Sequence, residues 1–478
     1  MPLVLGVDSS TQSTKVEARD LDTGEVVATA SAPHPPTTPP VSEQHPDAWW
    51  AALVAAVSAI GEHRRSVVAL AVAGQQHGLV LLDGDGTVLR PAKLWNDTTS
   101  APQAERLVAA LGADRWAGRT GSVPLASFTI TKLAWVAEHE PDVLARAARV
   151  QLPHDHLTWR LTGEHVTDRG DASGTGWVGT DGAVLDEVLE AATGDGPAWV
   201  SRVPRILGPT EPAGRLTPEA AAELGLPPEV LVGPGTGDNM AAALGLGLAP
   251  GDAAMSLGTS GTVFAVSDAP THDASGAVAG FADATGRWLP LVCTLNATKV
   301  TDTVARWLGT DPAGLADLAL SASDDPGPVV LLPYFDGERT PDLPGATGEL
   351  HGLTTTTTAA QLALAAHDGV LCGLLDGLDR LAAVGGDVGG RLLLVGGGAR
   401  SAAYRRRLAD LGGRPVLVPD TPETVATGAA VQAAAIVGGH RLADVAARWG
   451  LGAGTVVNPA VDATDRRRGH ARVRPSAP

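Results

Sequence analysis

Two short turns, about half a chain apart, resemble each other, and their recurrence limits what this chain can fold into. The first is Val7-Asp8-Ser9-Ser10-Thr11-Gln12-Ser13 and the second is Ser256-Leu257-Gly258-Thr259-Ser260-Gly261. An apolar, strand-like run precedes each turn (Leu3 to Val7; Ala253 to Leu257), and another follows it (Thr14 to Ala18; Thr262 to Val266). A strand-turn-strand of small and hydroxylated residues converges backbone N–H groups and hydroxyls on an anion. Two such hairpins facing each other across a cleft would hold a triphosphate. Ordinary hairpin turns also use Ser, Gly and Thr, so it is the repetition in two halves that points to phosphate.

A chain of 478 residues predicts two domains. The formal net charge of -18 argues against nucleic acid and against an acidic membrane surface as partners. It leaves nucleotide binding open, because local backbone groups can do that. Cys293 and Cys372 are the only cysteines. They fit neither a disulfide framework nor a zinc pattern and read as two inert, buried thiols. No run is long enough to span a bilayer, and the short apolar run before Asp8 is no signal peptide. A cytoplasmic protein is the expectation.

The start of the chain reads as a meander, with Leu21-Asp22-Thr23-Gly24-Glu25 as its second turn. Pro46 to Glu62 reads as a helix and Val67 to Ala73 as a buried strand. A second unit, opening near Leu244, repeats the order strand, turn, strand. It closes with the strand Leu392 to Val395, a triple glycine and a helix from about Ser401. Residues 1–242 and 243–458 are the expected lobes. Residues 459–478, rich in Arg and Pro and without apolar periodicity, read as a flexible tail. The expected class is α/β, two similar units around a central cleft.

Gly235-Thr236-Gly237-Asp238-Asn239 follows an apolar strand and precedes the second unit. A carboxylate on a glycine-rich turn between two lobes suits proton removal from an alcohol. Local pattern alone favours a simpler role for Asp238, capping the helix that follows. Val395-Gly396-Gly397-Gly398-Ala399-Arg400-Ser401 joins a strand to a helix, where glycines admit a ligand and the helix start favours anions; a plain tight turn explains the triplet equally well. Ala73-Gly74-Gln75-Gln76-His77-Gly78 offers polyol partners, although a lone His is more often structural. Trp95-Asn96-Asp97 suits a sugar, or else a core Trp with an Asx turn.

Taken in order and spacing, these motifs resemble the FGGY carbohydrate kinases, from about Val4 to about Ile436. Further agreement lies in Arg90-Pro91-Ala92, Phe128 to Trp135, Leu161 to Glu164, Asp171 to Thr175, Leu332-Pro333-Tyr334 and Gly337 to Pro341. The resemblance implies two ribonuclease H-like lobes of the actin and hexokinase type, with ATP and a sugar between them. It implies phosphorylation of a ketopentose, D-xylulose first, with Asp238 as general base. By the same resemblance Asp8 lies near phosphates and Mg2+. Thr11, Ser13, Lys15, Gly258 and Thr259 belong to the phosphate hairpins, and Gly397, Gly398 and Ser401 to the adenosine motif. Gln76, His77, Asn96, Asp238 and Asn239 would meet the sugar. The partners implied are sugar and ATP, and a homodimer is an admissible assembly.

The chain departs from the family's pattern at four places. Gln76 stands where Met is usual, and Thr99 where Arg is usual. Pro153-His154-Asp155-His156 replaces Pro-Lys-Asp-Tyr, and Ser10 and Ser13 replace hairpin glycines. Gln76 and Thr99 fall near the expected sugar, so they bear on its identity more than on the reaction. Rival readings are a kinase for another pentulose, polyol or sugar, and a non-catalytic actin-like ATP-binding protein. Glycerol is disfavoured because Gln76-His77 replaces the Arg-Glu that would grip it.

Overall fold

The computed structural model describes residues 1–322 and 326–475. Its first lobe is built on a sheet in the order Gly214–Arg215, Leu231–Val232, Val67–Gly74, Leu3–Ser9, Ser13–Asp20, Val26–Pro33. Leu3–Ser9 is buried along its whole length, as a strand covered on both faces must be. It pairs antiparallel with Ser13–Asp20, Asp8 lying opposite Lys15, and parallel with Val67–Gly74. Thr236–Gly237 adds a short parallel pairing to Ala73 and Gly74.

The second lobe repeats this plan. Ala253–Leu257 pairs antiparallel with Gly261–Ala265 and parallel with Leu392–Val395. The full order is Ala279–Ala282, Trp288–Thr294, Gly261–Ala265, Ala253–Leu257, Leu392–Val395, Val416–Pro419, Gly454–Val457. In both lobes the turns singled out in the sequence stand at the carboxyl ends of parallel strands, where open α/β sheets bind ligands.

The helix Thr424–Gly438 ties the lobes together. In chain order it falls between two strands of the second sheet, Val416–Pro419 and Gly454–Val457, yet it lies against the first sheet, between the strand Leu3–Ser9 and the helix Asp238–Gly245. Backbones touch there. A Cβ on Gly6 would stand 1.8 Å from the Ala426 carbonyl oxygen, and one on Gly428 1.9 Å from that of Ala241. Neither obstacle is a side chain that can swing away. Gly428→Ala therefore forces two helices apart, at a cost of about 1–3 kcal/mol. A clear fall in Tm is expected by thermal unfolding; an unchanged Tm would refute this close approach.

Three expectations need correction. The boundary after residue 242 falls inside the helix Asp238–Gly245. The presumed tail is ordered over most of its length: Thr464–Val473 is a helix, and Arg466 donates to Asp368 at 2.6 Å and to the Val329 carbonyl at 2.9 Å. Asp410 accepts from the amides of Ala460 and Val461. The lack of apolar periodicity misled because these partners are distant buried acids rather than an apolar face. Lastly, Cys372 is buried but Cys293 is only half-buried and lines a cavity. Among the described residues no helix is long and apolar enough to cross a membrane.

Candidate active site

Two chambers lie between the lobes, of about 740 Å3 and about 540 Å3. Asp238, Asn239 and Ser256 line both. Asp238 thus stands on the wall shared by two compartments, each large enough for a small polar ligand.

The first chamber takes Gln76, His77, Trp95, Asn96 and Phe128 from the first lobe, and Phe281 and Arg339 from the second. His77 has φ 64, the one positive value at a non-glycine among the described residues. Such a backbone persists only where its surroundings impose it, often at functional sites. Here His77 Nδ1 donates to the Gly174 carbonyl at 2.8 Å, and the ring stacks on Phe128 with centroids 4.9 Å apart. A Cβ on Gly174 would fall 2.6 Å from the ring, so this residue has to be glycine. Burial, with Lys132 and Arg339 nearby, drives the imidazole down to about 3. It is neutral at physiological pH, and with Nδ1 donating, Nε2 is left as an acceptor for a hydroxyl.

Gln76 accepts from Asn239 Nδ2 at 2.8 Å and keeps a buried Nε2 without a partner. Asn96 likewise has an unpartnered Oδ1. Such unpartnered donors and acceptors, on residues that line the chamber together with Phe128 and Phe281, suit a polyhydroxylated molecule. Trp95 is 41% exposed, so it is a chamber wall rather than a core residue. Asp97 is buried beneath it and pairs with Lys93 at 3.2 Å. Thr99 also binds Lys93, at 2.8 Å, and does not line the chamber. Of the two departures expected near the sugar, only Gln76 lines this chamber.

Asp238 is the first residue of its helix, with Gly237 as the cap, so the carboxylate is not the capping group. Its Oδ1 accepts the Asn239 amide at 2.8 Å and Asn239 Nδ2 at 3.0 Å. Burial raises its carboxyl to about 6, against these hydrogen bonds. An acid with that value is ionised at neutral pH yet basic enough to take a proton.

The second chamber is lined by Asp8, Lys15, Gly396, Gly397, Ala399, Arg400 and the segment Pro419 to Val425, among others. Asp8 is buried and its Oδ1 has no partner. Burial first, then the Asp238 charge, raises its carboxyl to about 7, while Lys15 opposes. Lys15 is itself engaged by Glu423 at 2.9 Å, a pair that spans the lobes. Among the described residues no three His, Cys, Asp or Glu side chains are arranged to hold a metal alone. A divalent cation here would need phosphate oxygens as its remaining ligands, the usual manner of Mg2+.

The expected phosphate and adenosine residues are not all brought together. Gly258 and Thr259 line the first chamber rather than the second, while Ser256 reaches both. Thr11 and Ser13 line neither; the Thr11 hydroxyl accepts from Trp95 Nε1 at 2.9 Å and donates to Gln75 at 3.2 Å. Gly397 faces the second chamber, whereas Gly398 packs under it, where a Cβ would stand 2.8 Å from that of Leu257. Ser401 caps the helix Ala402–Gly412. Sequence reasoning missed Arg339, Phe281 and Glu423. For Glu423 a signal existed, since Pro419-Asp420-Thr421-Pro422 joins a strand to an apolar helix.

Comparison with known proteins agrees with this arrangement. Residues 3–245 match the N-terminal domain of the FGGY family of carbohydrate kinases, and residues 253–436 its C-terminal domain. The xylulose kinase of Streptomyces coelicolor is 51% identical over 467 residues, 97% of this chain and 93% of that one. The xylulose kinase of Escherichia coli is 38% identical, over 86% of this chain and 85% of its own. The crystal structure of xylulose kinase from Bifidobacterium adolescentis superposes with a TM-score of 0.87 at 40% identity, covering 99% of each chain. Two lobes of one plan, a shared acid between two chambers and both family domains in order lead to one conclusion: the chain belongs to the FGGY family of carbohydrate kinases.

Proposed function

We propose that this kinase transfers the γ-phosphoryl group of ATP to the terminal hydroxyl of D-xylulose, giving D-xylulose 5-phosphate and ADP. The observation that carries this reading is the shared wall. A sugar in the first chamber and a triphosphate in the second would meet at Asp238. Gln76, His77 and Asn96 would hold the hydroxyls, with Phe128 and Phe281 against the apolar face of the sugar. As the oxygen attacks, its proton passes to the Asp238 carboxylate. The new O–P bond forms while the bond from γ-phosphorus to the β,γ-bridging oxygen breaks.

Asn239 orients Asp238 and is itself aligned by Gln76, so an occupied sugar site and a positioned base are linked. Asp8 would hold Mg2+ through its unpartnered Oδ1, shared with phosphate oxygens, and the ion supplies neutralising charge to the triphosphate. Gly396 and Gly397 leave room for the nucleoside. Homodimerisation and a cytoplasmic location are carried as parts of the proposal; light scattering tests the first.

The decisive experiment is an ADP-coupled assay over a panel of pentuloses, pentitols, hexuloses and glycerol. The highest kcat/KM is expected with D-xylulose. A higher value with another acceptor would overturn the substrate, and ADP release indifferent to every acceptor would overturn the kinase. The same assay checks the first chamber. His77→Ala should raise the KM for sugar about tenfold, the worth of roughly one lost hydrogen bond, with the KM for ATP nearly unchanged. An unaltered sugar KM would place the sugar elsewhere.

A further inference from the structure

Beneath the two loops that face the sugar lies a buried cluster of one imidazole and three acids. His154 is the second residue of the helix Pro153–Thr162 and is fully buried. A Cβ on Gly74 would stand 3.1 Å from the His154 Cβ, and one on Gly235 2.7 Å from its Nδ1. Gly74 leads into Gln76 and His77, and Gly235 leads into Asp238. The imidazole is wedged under the roots of both loops, and glycine at each root makes room for it.

His154 Nε2 lies 3.2 Å from Asp155, 3.3 Å from Asp171 and 3.5 Å from Asp168, all of them buried. A neutral ring would leave whichever of these acids is ionised without a counter-charge in the interior, which is costly. Burial opposes a charge on the ring, but Asp155, Asp168 and Asp171 outweigh it and raise the imidazole to about 9. Burial likewise raises Asp155 to about 6 and Asp171 well above the ordinary range. Of the other elements packed here, Gly74, Gly235 and Thr236 are uncharged and Gln432 donates to the Gly235 carbonyl at 3.1 Å. Arg169 donates to the carbonyls of Gly286 and Arg287 while its charge acts on Asp168, and the Asp238 charge acts on Asp171.

Asp168 connects the cluster to the reaction. Its Oδ2 accepts the Thr236 hydroxyl at 2.7 Å and the Gly170 amide at 2.8 Å. Thr236 stands two residues before Asp238. We infer that His154, held as an imidazolium among Asp155, Asp168 and Asp171, is a positioning residue for the transfer, setting the turn that carries Asp238 through Asp168 and Thr236. The inference rests on Asp238 as the base. It also gives a role to the place where the chain departs from Pro-Lys-Asp-Tyr, since Lys and imidazolium share a charge.

The test combines variants with a direct view of the ring. His154→Gln removes the charge at similar size. It should lower kcat by about ten- to a hundredfold, the cost of a misplaced reacting group, and leave the KM for ATP unchanged. With a positive charge lost, the acid limb of the kcat/KM profile should move to higher pH. His154→Lys should restore most of kcat. Thr236→Val, which cuts the link without touching the ring, should lower kcat in the same way, and it serves where His154→Gln fails to fold. In 15N spectra of the full chain at pH 7.5, the resonances missing from His154→Lys should show both ring nitrogens protonated. A neutral tautomer would overturn the inference. So would unchanged kcat and pH profile in Thr236→Val or in folded His154→Gln. Asp238→Asn separates the two failures: if it is inactive while both supporting variants work normally, only the inference falls, and if it is active, the base assignment falls first.

Discussion

Asp238→Asn is expected to lower kcat by about 10²–10⁴-fold, the range for losing a general base, while the fold and the affinity for ATP stay as they are. The amide keeps the shape of the acid and an oxygen for the Asn239 N–H, now 2.8 Å from Asp238 Oδ1. The cap of the helix is Gly237, so the helix start is not disturbed. What the amide cannot do is accept the proton of the attacking hydroxyl. With the carboxyl at about 6, the parent enzyme should lose kcat/KM as pH falls through that value, because the protonated acid is no longer a base. That acid limb should vanish from the residual activity of the variant. Steady-state kinetics across pH, with nucleotide titration for affinity, checks both parts. Turnover near that of the parent would remove Asp238 from the mechanism.

The duplicated architecture was legible because each lobe opens with the same local code. Leu3–Ser9 and Ala253–Leu257 are short apolar runs ended by small, hydroxylated turns, and those signals are local. The role of Asp238 was only half legible. A carboxylate at a helix start reads as a cap until the opposite wall of the cleft is known, and Ser256 supplies that wall from the other lobe. Thr11 shows what a local motif leaves out: its place in the hairpin suggested phosphate, and its hydroxyl also has Trp95 and Gln75 as partners from distant parts of the chain. Long-range ion pairs left no trace in the sequence. Arg466 finds Asp368 on the helix Ala359–Ala383, and His154 finds Asp168 and Asp171 only after the chain has turned back. Neither pairing has a period or a spacing that could announce it.

Asp8→Asn is expected to lower kcat by about 10²–10³-fold, comparable to removing one preorganised electrostatic group, and to raise the Mg2+ concentration needed for half-maximal rate. Sugar binding should change little, since Asp8 lines the second chamber and not the first. Stability should move in the opposite direction to activity. The Asp8 carboxyl rises from an ordinary 3.8 to about 7 in the folded chain, through burial and then the charge of Asp238. A group raised on folding stabilises fully below its unfolded value, and that contribution is lost as pH rises to about 7. Each unit of that window is worth about 1.4 kcal/mol. Without metal, Asp8→Asn should therefore gain Tm relative to the parent on going from pH 5 to pH 8. Adding Mg2+ with a non-hydrolysable ATP analogue should raise the Tm of the parent more than that of the variant, since the ionised acid is what the cation would meet. Equal metal dependence in both proteins would move the cation site away from Asp8. A Tm difference flat across pH would show that the buried acid carries no such strain.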